Sequence, residues 1–273
     1  MTLSEFISKE LFSKYKKLVL HIESLSPAAV AYSGGVDSAL LLYISCKAHP
    51  ESIGIIARSP SLAEREYQDA LEFAKKYNLP VEPVNTSEIE NPDYVRNDSK
   101  RCYYCKIELF NVIKTVISAK PEMRIFYGAN EDDRGDYRPG MIAANEKNIH
   151  APFMDLHWSK KDIRELARSL GLDIYDKPSM PCLASRIPYG TPVDRETLIR
   201  IEKAENILHD MGFHIVRVRH HGDIARIELP DRDIHRLLDI SLRSKINAML
   251  KEVGYKFVVI DLEEFRSGRL NLS

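Results

Sequence analysis

The sequence predicts an α/β fold, an open parallel sheet covered by helices and followed by a smaller C-terminal α+β domain. Three observations lead to it. Short apolar runs alternate with helical stretches up to about residue 170, and beyond residue 194 the order changes to α-β-β-α-β. Between the two lies a stretch holding Pro178, Pro181, Pro188 and Pro192, which reads as a loop and a domain junction. The division is drawn as residues 1–188 and 189–273.

Leu3, Phe6, Ile7, Leu11, Tyr15, Leu18, Ile22 and Leu25 recur at helical spacing and predict an amphipathic opening helix that Pro27 ends. Residues 28–32 read as a short buried strand, 36 to about 48 as a helix, and 52–58 as the second strand. Ser61 with Glu64 has the form of a capping box that opens a helix to about Asn78. Residues 81–85 form the third strand, and a polar loop leads to about Ser99. A helix then runs from near Cys102 to Ala119, and residues 124–127 form the fourth strand. Another helix follows Pro139, and Ser159 caps one reaching about Leu170. In the second domain Asp194 caps a helix to about Met211. Residues 214–220 and 223–229 are strands around a turn with Gly222, residues 231–253 a helix, and 256–262 the last strand. Ligands of open parallel sheets bind beyond the carboxyl ends of the strands, and there the unusual residues of this chain gather.

Composition narrows the function. In 273 residues, 39 Lys and Arg face 40 Asp and Glu, for a net charge of −1, with 44% hydrophobic and 29% charged residues. That is an ordinary globular composition, and its balance argues against a general polyanion binder. No apolar run approaches the ~20 residues that span a bilayer. The first residues lack the basic and apolar regions of a secretory signal, so a cytoplasmic location is expected. Four cysteines are too few for a disulfide scaffold; in a reducing compartment their positions read as metal or redox chemistry.

Ser33-Gly34-Gly35-Val36-Asp37-Ser38 stands between a predicted strand and a predicted helix. Small residues let the backbone approach an anion, and successive amides at a helix N-terminus favour negative charge. Ser33 and Ser38 add hydroxyl donors. Asp37 suits a divalent cation that bridges phosphates. A plain glycine-containing turn is the bland alternative, but all six positions fit.

This segment resembles the PP-loop of the ATP pyrophosphatase superfamily, whose signature is SGGxDS and whose fold is adenine-nucleotide-alpha-hydrolase-like. The resemblance implies cleavage of ATP between the α and β phosphates with Mg2+, adenylation of an oxygen, and displacement of AMP by a nucleophile. It places ATP on Ser33, Gly34, Gly35, Asp37, Ser38 and Gly128, with Asp37 on magnesium. Further segments extend the likeness: Gly128 to Asp133, Asp136 to Gly140, Cys182 to Gly190, Arg217 to Arg219 and Ile224 to Pro230. Together they resemble the LarE family of ATP-dependent sulfur transferases, from nickel-pincer nucleotide biosynthesis, over nearly the full length. That likeness implies a small pyridinium-3,5-biscarboxylic acid mononucleotide as substrate, a thiocarboxylate as product, a sulfide donor as a possible partner and a homo-oligomeric assembly.

Cys102 and Cys105 form C-x-x-C at a predicted helix start, where the thiolate is favoured, and Cys182 lies in the proline-rich junction. Cys46, inside an apolar helix, reads as a small hydrophobe. Three readings of the trio stay open. The thiolates could hold three corners of a 4Fe–4S cluster with one open iron, they could bind zinc with His150 or His157, or Cys182 could be redox-active or give up its own sulfur. In the resembled family both a three-cysteine cluster class and a class with one sacrificial cysteine occur, and Cys102 and Cys105 point to the cluster class, with Cys182 as catalytic residue.

On the paired strands Val216 and Val218 alternate with Arg217 and Arg219, and Ala225, Ile227 and Leu229 with Arg226 and Glu228. Period-two geometry puts the apolar set on the core. The charges are either a solvated face of cross-strand pairs or an anion site, in which Arg186, Arg217 and Arg219 would grip phosphate or carboxylate. The resemblance assigns Ser185, Arg186, Arg217, Arg219 and Glu228 to the substrate. Asn130, Asp132 and Asp133 are weaker site candidates. Arg266 and Arg269 read as solubilising, His220 and His221 as surface residues of a turn, and Trp158 as a packing anchor. Three other functions compete, of which an amide-forming PP-loop synthetase would leave the three cysteines without a purpose. A tRNA-thiolating PP-loop enzyme would need a basic RNA footprint that the neutral total does not supply, and a non-catalytic nucleotide- or cluster-binding regulator would release no pyrophosphate.

Overall fold

A computed structural model describes residues 7–135 and 138–265. Leu3, Phe6, Asp136, Tyr137, Arg266 and Arg269 lie outside the described residues. The chain forms two compact units, residues 1–88 with 100–180 and residues 89–99 with 181–273.

In the first unit α1 (Lys9–Leu25) precedes β1 (Ala28–Ala31), α2 (Val36–Ala48), β2 (Ile53–Arg58), α3 (Glu64–Lys76) and β3 (Val81–Asn85). The chain then passes through α4 (Pro92–Val95) of the second unit. It returns with α5 (Arg101–Val116), β4 (Arg124–Tyr127), α6 (Pro139–Glu146), α7 (Pro152–Asp155) and α8 (Lys160–Ser169). The strands form one parallel sheet in the order β3-β2-β1-β4. β1 is central and its four small or branched residues are all buried, as a strand covered on both faces requires. Pro83 stands in β3, an edge strand that can spare its amide. One face of the sheet carries the core of α1, α2 and α8, including Leu18, Leu40, Phe126, Trp158 and Leu166. Phe110, Ile113, Ile125, Ala143 and Ala144 cover the other face. α2 is apolar nearly all round because it is sandwiched between the sheet and α1 and α8. Neighbours of β1 lie on opposite sides in sequence order, so the loops after β1 and β4 meet at the switch point where such sheets bind ligands.

The second unit holds α9 (Arg195–Asp210), β5 (Arg217–His221), β6 (Ile224–Glu228), α10 (Asp231–Ile234), α11 (Ile240–Glu252) and β7 (Phe257–Ile260). β5 and β6 are antiparallel around Gly222, whose φ of 62° suits a tight turn, and β7 adds parallel to β6. Leu208, Phe213, Val216, Val218, Ala225, Ile227, Leu250 and Tyr255 form its core. The proline-rich stretch is fastened here. Asn97, buried and left-handed with φ 56°, donates from Nδ2 to the carbonyls of Pro188 and Thr191, both at 2.8 Å. Val193 N–H donates to the carbonyl of Val95.

Three local expectations change. Ser61 does not cap α3; Ala63 occupies that position without a side-chain bond, and the Ser61 hydroxyl donates to Glu88 instead. The helix expected over 231–253 breaks where the Asp239 side chain accepts from Leu242 N–H and starts α11 afresh. His220 is a buried strand residue against Tyr255, not a surface residue of a turn. Trp158 is fully buried beside Phe153, and Cys46 is half-buried against the first core, its thiol pushed up to about 11 by burial. Among the described residues no helix is long and apolar enough to cross a membrane.

Candidate active site

The loop after β1 is closed by its own hydroxyls. Ser33 N–H donates to Ser38 Oγ at 3.1 Å, the two hydroxyls lie 3.1 Å apart, and Ser38 Oγ donates to the carbonyl of Gly35. Gly34 has φ 73°, and a Cβ there would stand 2.5 Å from Ala70 Cβ on α3, so only glycine fits. Gly35 is the N-cap of α2 and brings no side-chain acceptor, which leaves the first-turn amides for an anion. Gly128, just after β4, meets the same helix start: a Cβ would lie 2.9 Å from Ser38 N and 3.1 Å from Asp37. The structure thus brings Ser33, Gly34, Gly35, Asp37, Ser38 and Gly128 together.

Asp37 is the charged centre. Its Oδ2 accepts from Lys160 Nζ at 2.5 Å, whereas its buried Oδ1 has no hydrogen-bond partner. Burial pushes the carboxyl above the usual aspartate range; Lys160 pulls it back, and nearby Asp133 adds to the rise. Asn130 and Asp133 form a reciprocal cap on the turn after β4, and Arg138 pairs with Asp133 at 2.6 Å. Asp132 accepts from the backbone N–H of Lys160 at 3.0 Å. An orphaned buried carboxylate oxygen beside a second acid is a place that a divalent cation would satisfy, and the residues present fit magnesium. Among the described residues no three His, Cys, Asp or Glu side chains are grouped to hold a metal. Mg2+ commonly needs one or two carboxylates, with phosphates supplying the rest.

Lys160 escaped the sequence reading. A lysine on the first turn of α8 opposes the helix dipole, and that mismatch was the available signal.

The remaining candidates divide between the units. Cys102 and Cys105 occupy the first two turns of α5, Cys102 exposed and Cys105 half-buried. Cys182 belongs to the second unit, is half-buried, and precedes a short 3-10 turn, Leu183–Arg186. The donor set of the first unit is therefore a pair of thiols, and no described residue there completes a cluster or zinc site with them.

Within the second unit Arg186 is 2% exposed and holds Glu205 through two 2.9 Å bonds. It also donates to the carbonyls of Pro181 and Cys182 and to Ser185 Oγ. Arg219 pairs with Glu228 at 2.7 Å and donates to the carbonyl of Ser185. Arg217 lies over the Phe265 ring, 5.0 Å from its centroid. Ser185, Arg186, Arg219 and Glu228 form one network around the Cys182 turn. Glu205, a partner that no motif marked, also accepts from Val218 N–H.

A phosphate-binding loop at the switch point of a parallel sheet defines a PP-loop nucleotide domain. Comparison with protein-family models finds no match. The chain is 30% identical over 263 residues to the pyridinium-3,5-bisthiocarboxylic acid mononucleotide synthase of Lactiplantibacillus plantarum, covering 96% of this chain and 95% of that protein. It is 39% identical, over 96% of its length and 98% of the other, to an uncharacterised protein of Synechocystis sp.. A tRNA-specific 2-thiouridylase of Clostridium botulinum is 26% identical over 56% of this chain and 53% of its own. The chain belongs to the pyridinium-3,5-bisthiocarboxylic acid mononucleotide synthase family.

Proposed function

We propose that the protein is an ATP-dependent sulfurtransferase that converts a carboxylate of pyridinium-3,5-biscarboxylic acid mononucleotide to a thiocarboxylate. The observation that carries this reading is the 30% identity across 95% or more of both chains. A carboxylate oxygen of the substrate attacks the α-phosphorus of ATP, pyrophosphate leaves, and sulfide then displaces AMP from the acyl carbon. In this reading the amides of Gly35 to Ser38 and the hydroxyls of Ser33 and Ser38 receive the phosphates. Lys160 offers a positive charge beside Asp37, where negative charge moves to the leaving group. Magnesium, when held by Asp37, would neutralise the triphosphate. Ser185, Arg186, Arg217, Arg219 and Glu228 are proposed for the substrate. Arg186 would act from its bond to Glu205 by shaping the turn, since it is already committed there.

Cys102, Cys105 and Cys182 are proposed to carry a 4Fe–4S cluster, which would present sulfide at an open iron. One fact supports this: the pair sits at a helix start that favours thiolate. Apolar side chains exposed on β7, Phe257 and Val259 among them, support the homo-oligomer.

The test is anaerobic turnover with MgATP and the biscarboxylic acid mononucleotide, with mass spectrometry of small molecules and protein and with iron and sulfide analysis. AMP, pyrophosphate and thiolated product are expected, with iron bound and Cys182 intact. Loss of hydrogen sulfide from Cys182 would make it the sacrificial donor, and zinc without iron after reconstitution would remove the cluster. No AMP or pyrophosphate would overturn the enzyme reading altogether.

A further inference from the structure

One face of α8 carries two cations, because Lys160 and Arg164 are four residues apart on the same helix. Lys160 holds Asp37. Arg164 stands near enough for its charge to favour the ionised Asp37 carboxyl, but its hydrogen bonds go elsewhere. Nη1 donates to the carbonyl of Tyr175 and Nη2 to the carbonyl of Lys177, both at 2.8 Å. Lys177 in turn places Nζ 2.8 Å from Glu66 Oε2 on α3, each side chain 16% exposed. α3 is the helix whose Ala70 and Glu66 close on Gly34. Residues 175–177 are therefore fastened twice to the elements that shape the phosphate loop, through Arg164 to α8 and through Lys177 to α3. The chain reaches Cys182 five residues later. A planar guanidinium can hold two carbonyls in one fixed fork, which a lysine ammonium on a flexible stem cannot reproduce.

We propose that Arg164 is a positioning residue that fixes, relative to the phosphate loop, the path by which the chain leaves the first unit towards Cys182. Its consequence for turnover rests on the sulfur-transfer reading; its structural half does not. With the segment fixed, the adenylated carboxylate meets sulfur before water. With it loose, AMP is still released while the adenylate is lost to hydrolysis, in which water attacks the acyl carbon and regenerates the carboxylate.

The experiment combines amide hydrogen exchange with the ratio of thiocarboxylate formed to AMP released, in the full chain, for Arg164→Lys, Arg164→Gln and Glu66→Gln. Arg164→Lys keeps the charge near Asp37 and removes the fork. Glu66→Gln weakens the other fastening without touching α8. Both Arg164 variants are expected to exchange the amides of 175–177 about tenfold faster, the scale of one to two net hydrogen bonds, while β1 and α2 keep their protection. Product per AMP should fall several-fold, and Glu66→Gln should move both readouts in the same direction by less. Unchanged exchange at 175–177 in both Arg164 variants overturns the proposal, and so does faster exchange with an unchanged product ratio. If the wild type releases no AMP from this substrate, the sulfur-transfer reading fails instead, and the exchange result alone decides whether Arg164 fixes the segment.

Discussion

Asp37 shows at the scale of one residue what the burial of a carboxyl does to its ionisation. Its carboxyl sits above the usual aspartate range because burial outweighs the help of Lys160. A carboxyl raised in the fold contributes stability below its unfolded value of 3.8 and loses it as pH rises through the folded value. At neutral pH the ionised group therefore works against folding. Asp37→Asn is expected to raise stability at pH 7 by about 0.5–2 kcal/mol, in the range of such trade-offs. It is also expected to cut pyrophosphate release by about a hundredfold or more. Thermal unfolding and a pyrophosphate assay check the two halves, and a variant that is both less stable and fully active would refute this account. The turn that carries Asp37 was legible because the spacing of Ser33 to Ser38 carries its meaning locally. Lys160 was not, because its partner lies 123 residues away and only tertiary packing joins them.

At the scale of the element, serine before a helix has two fates. Ser159 accepts from Asp162 N–H while Asp162 returns to Ser159 N–H, the reciprocal cap that its sequence position suggests. Ser61, with Glu64 three residues on, offers the same pattern but spends its hydroxyl on Glu88, which is 2% exposed. Ser59 donates to the same oxygen. A buried carboxylate needs donors more than α3 needs a side-chain cap, and the sequence pattern holds no mark of Glu88, which arrives from beyond β3. Ser61→Ala should cost about 1–3 kcal/mol by leaving that carboxylate short of a donor. The cost should shrink in a Glu88→Gln background, because the two residues share one interaction. A double-mutant cycle in urea measures the coupling; equal cost in both backgrounds would show that Ser61 acts through something other than Glu88. The strand and helix order of the first unit was readable for the opposite reason, since apolar spacing on β1, α2 and β2 reports burial by the nearest layer of structure.

At the scale of the whole molecule, the chain crosses between its units more than once, and Asn97 makes the crossing hard to read from sequence. Residues 89–99 look like a polar loop of the first unit, yet Asn97 and Val95 bond to 187–193 of the second. A buried asparagine that serves three carbonyls has no signature in composition or period. Histidine is where the global fold meets pH. His220 lies in β5 of the second unit, 3.3 Å from the Tyr255 hydroxyl. Burial first, then Arg200 and His221, lower its pKa from 6.5, with Asp194 opposing. His221 on the same strand and His150 in the first unit are lowered as well, each by burial first. A histidine held neutral in the fold binds fewer protons there than when unfolded, so its contribution is fully present above 6.5 and lost as pH falls through the folded value. The melting temperature should therefore drop between pH 7.5 and 5.5 by more than carboxylate protonation alone accounts for. His220→Gln, which keeps a polar group without the titration, should lose some stability at pH 7.5 and narrow its gap to the wild type as the pH falls. Melting curves of both proteins across that range decide the matter. A gap that stays constant, or widens towards pH 5.5, would mean that the fold does not hold His220 neutral.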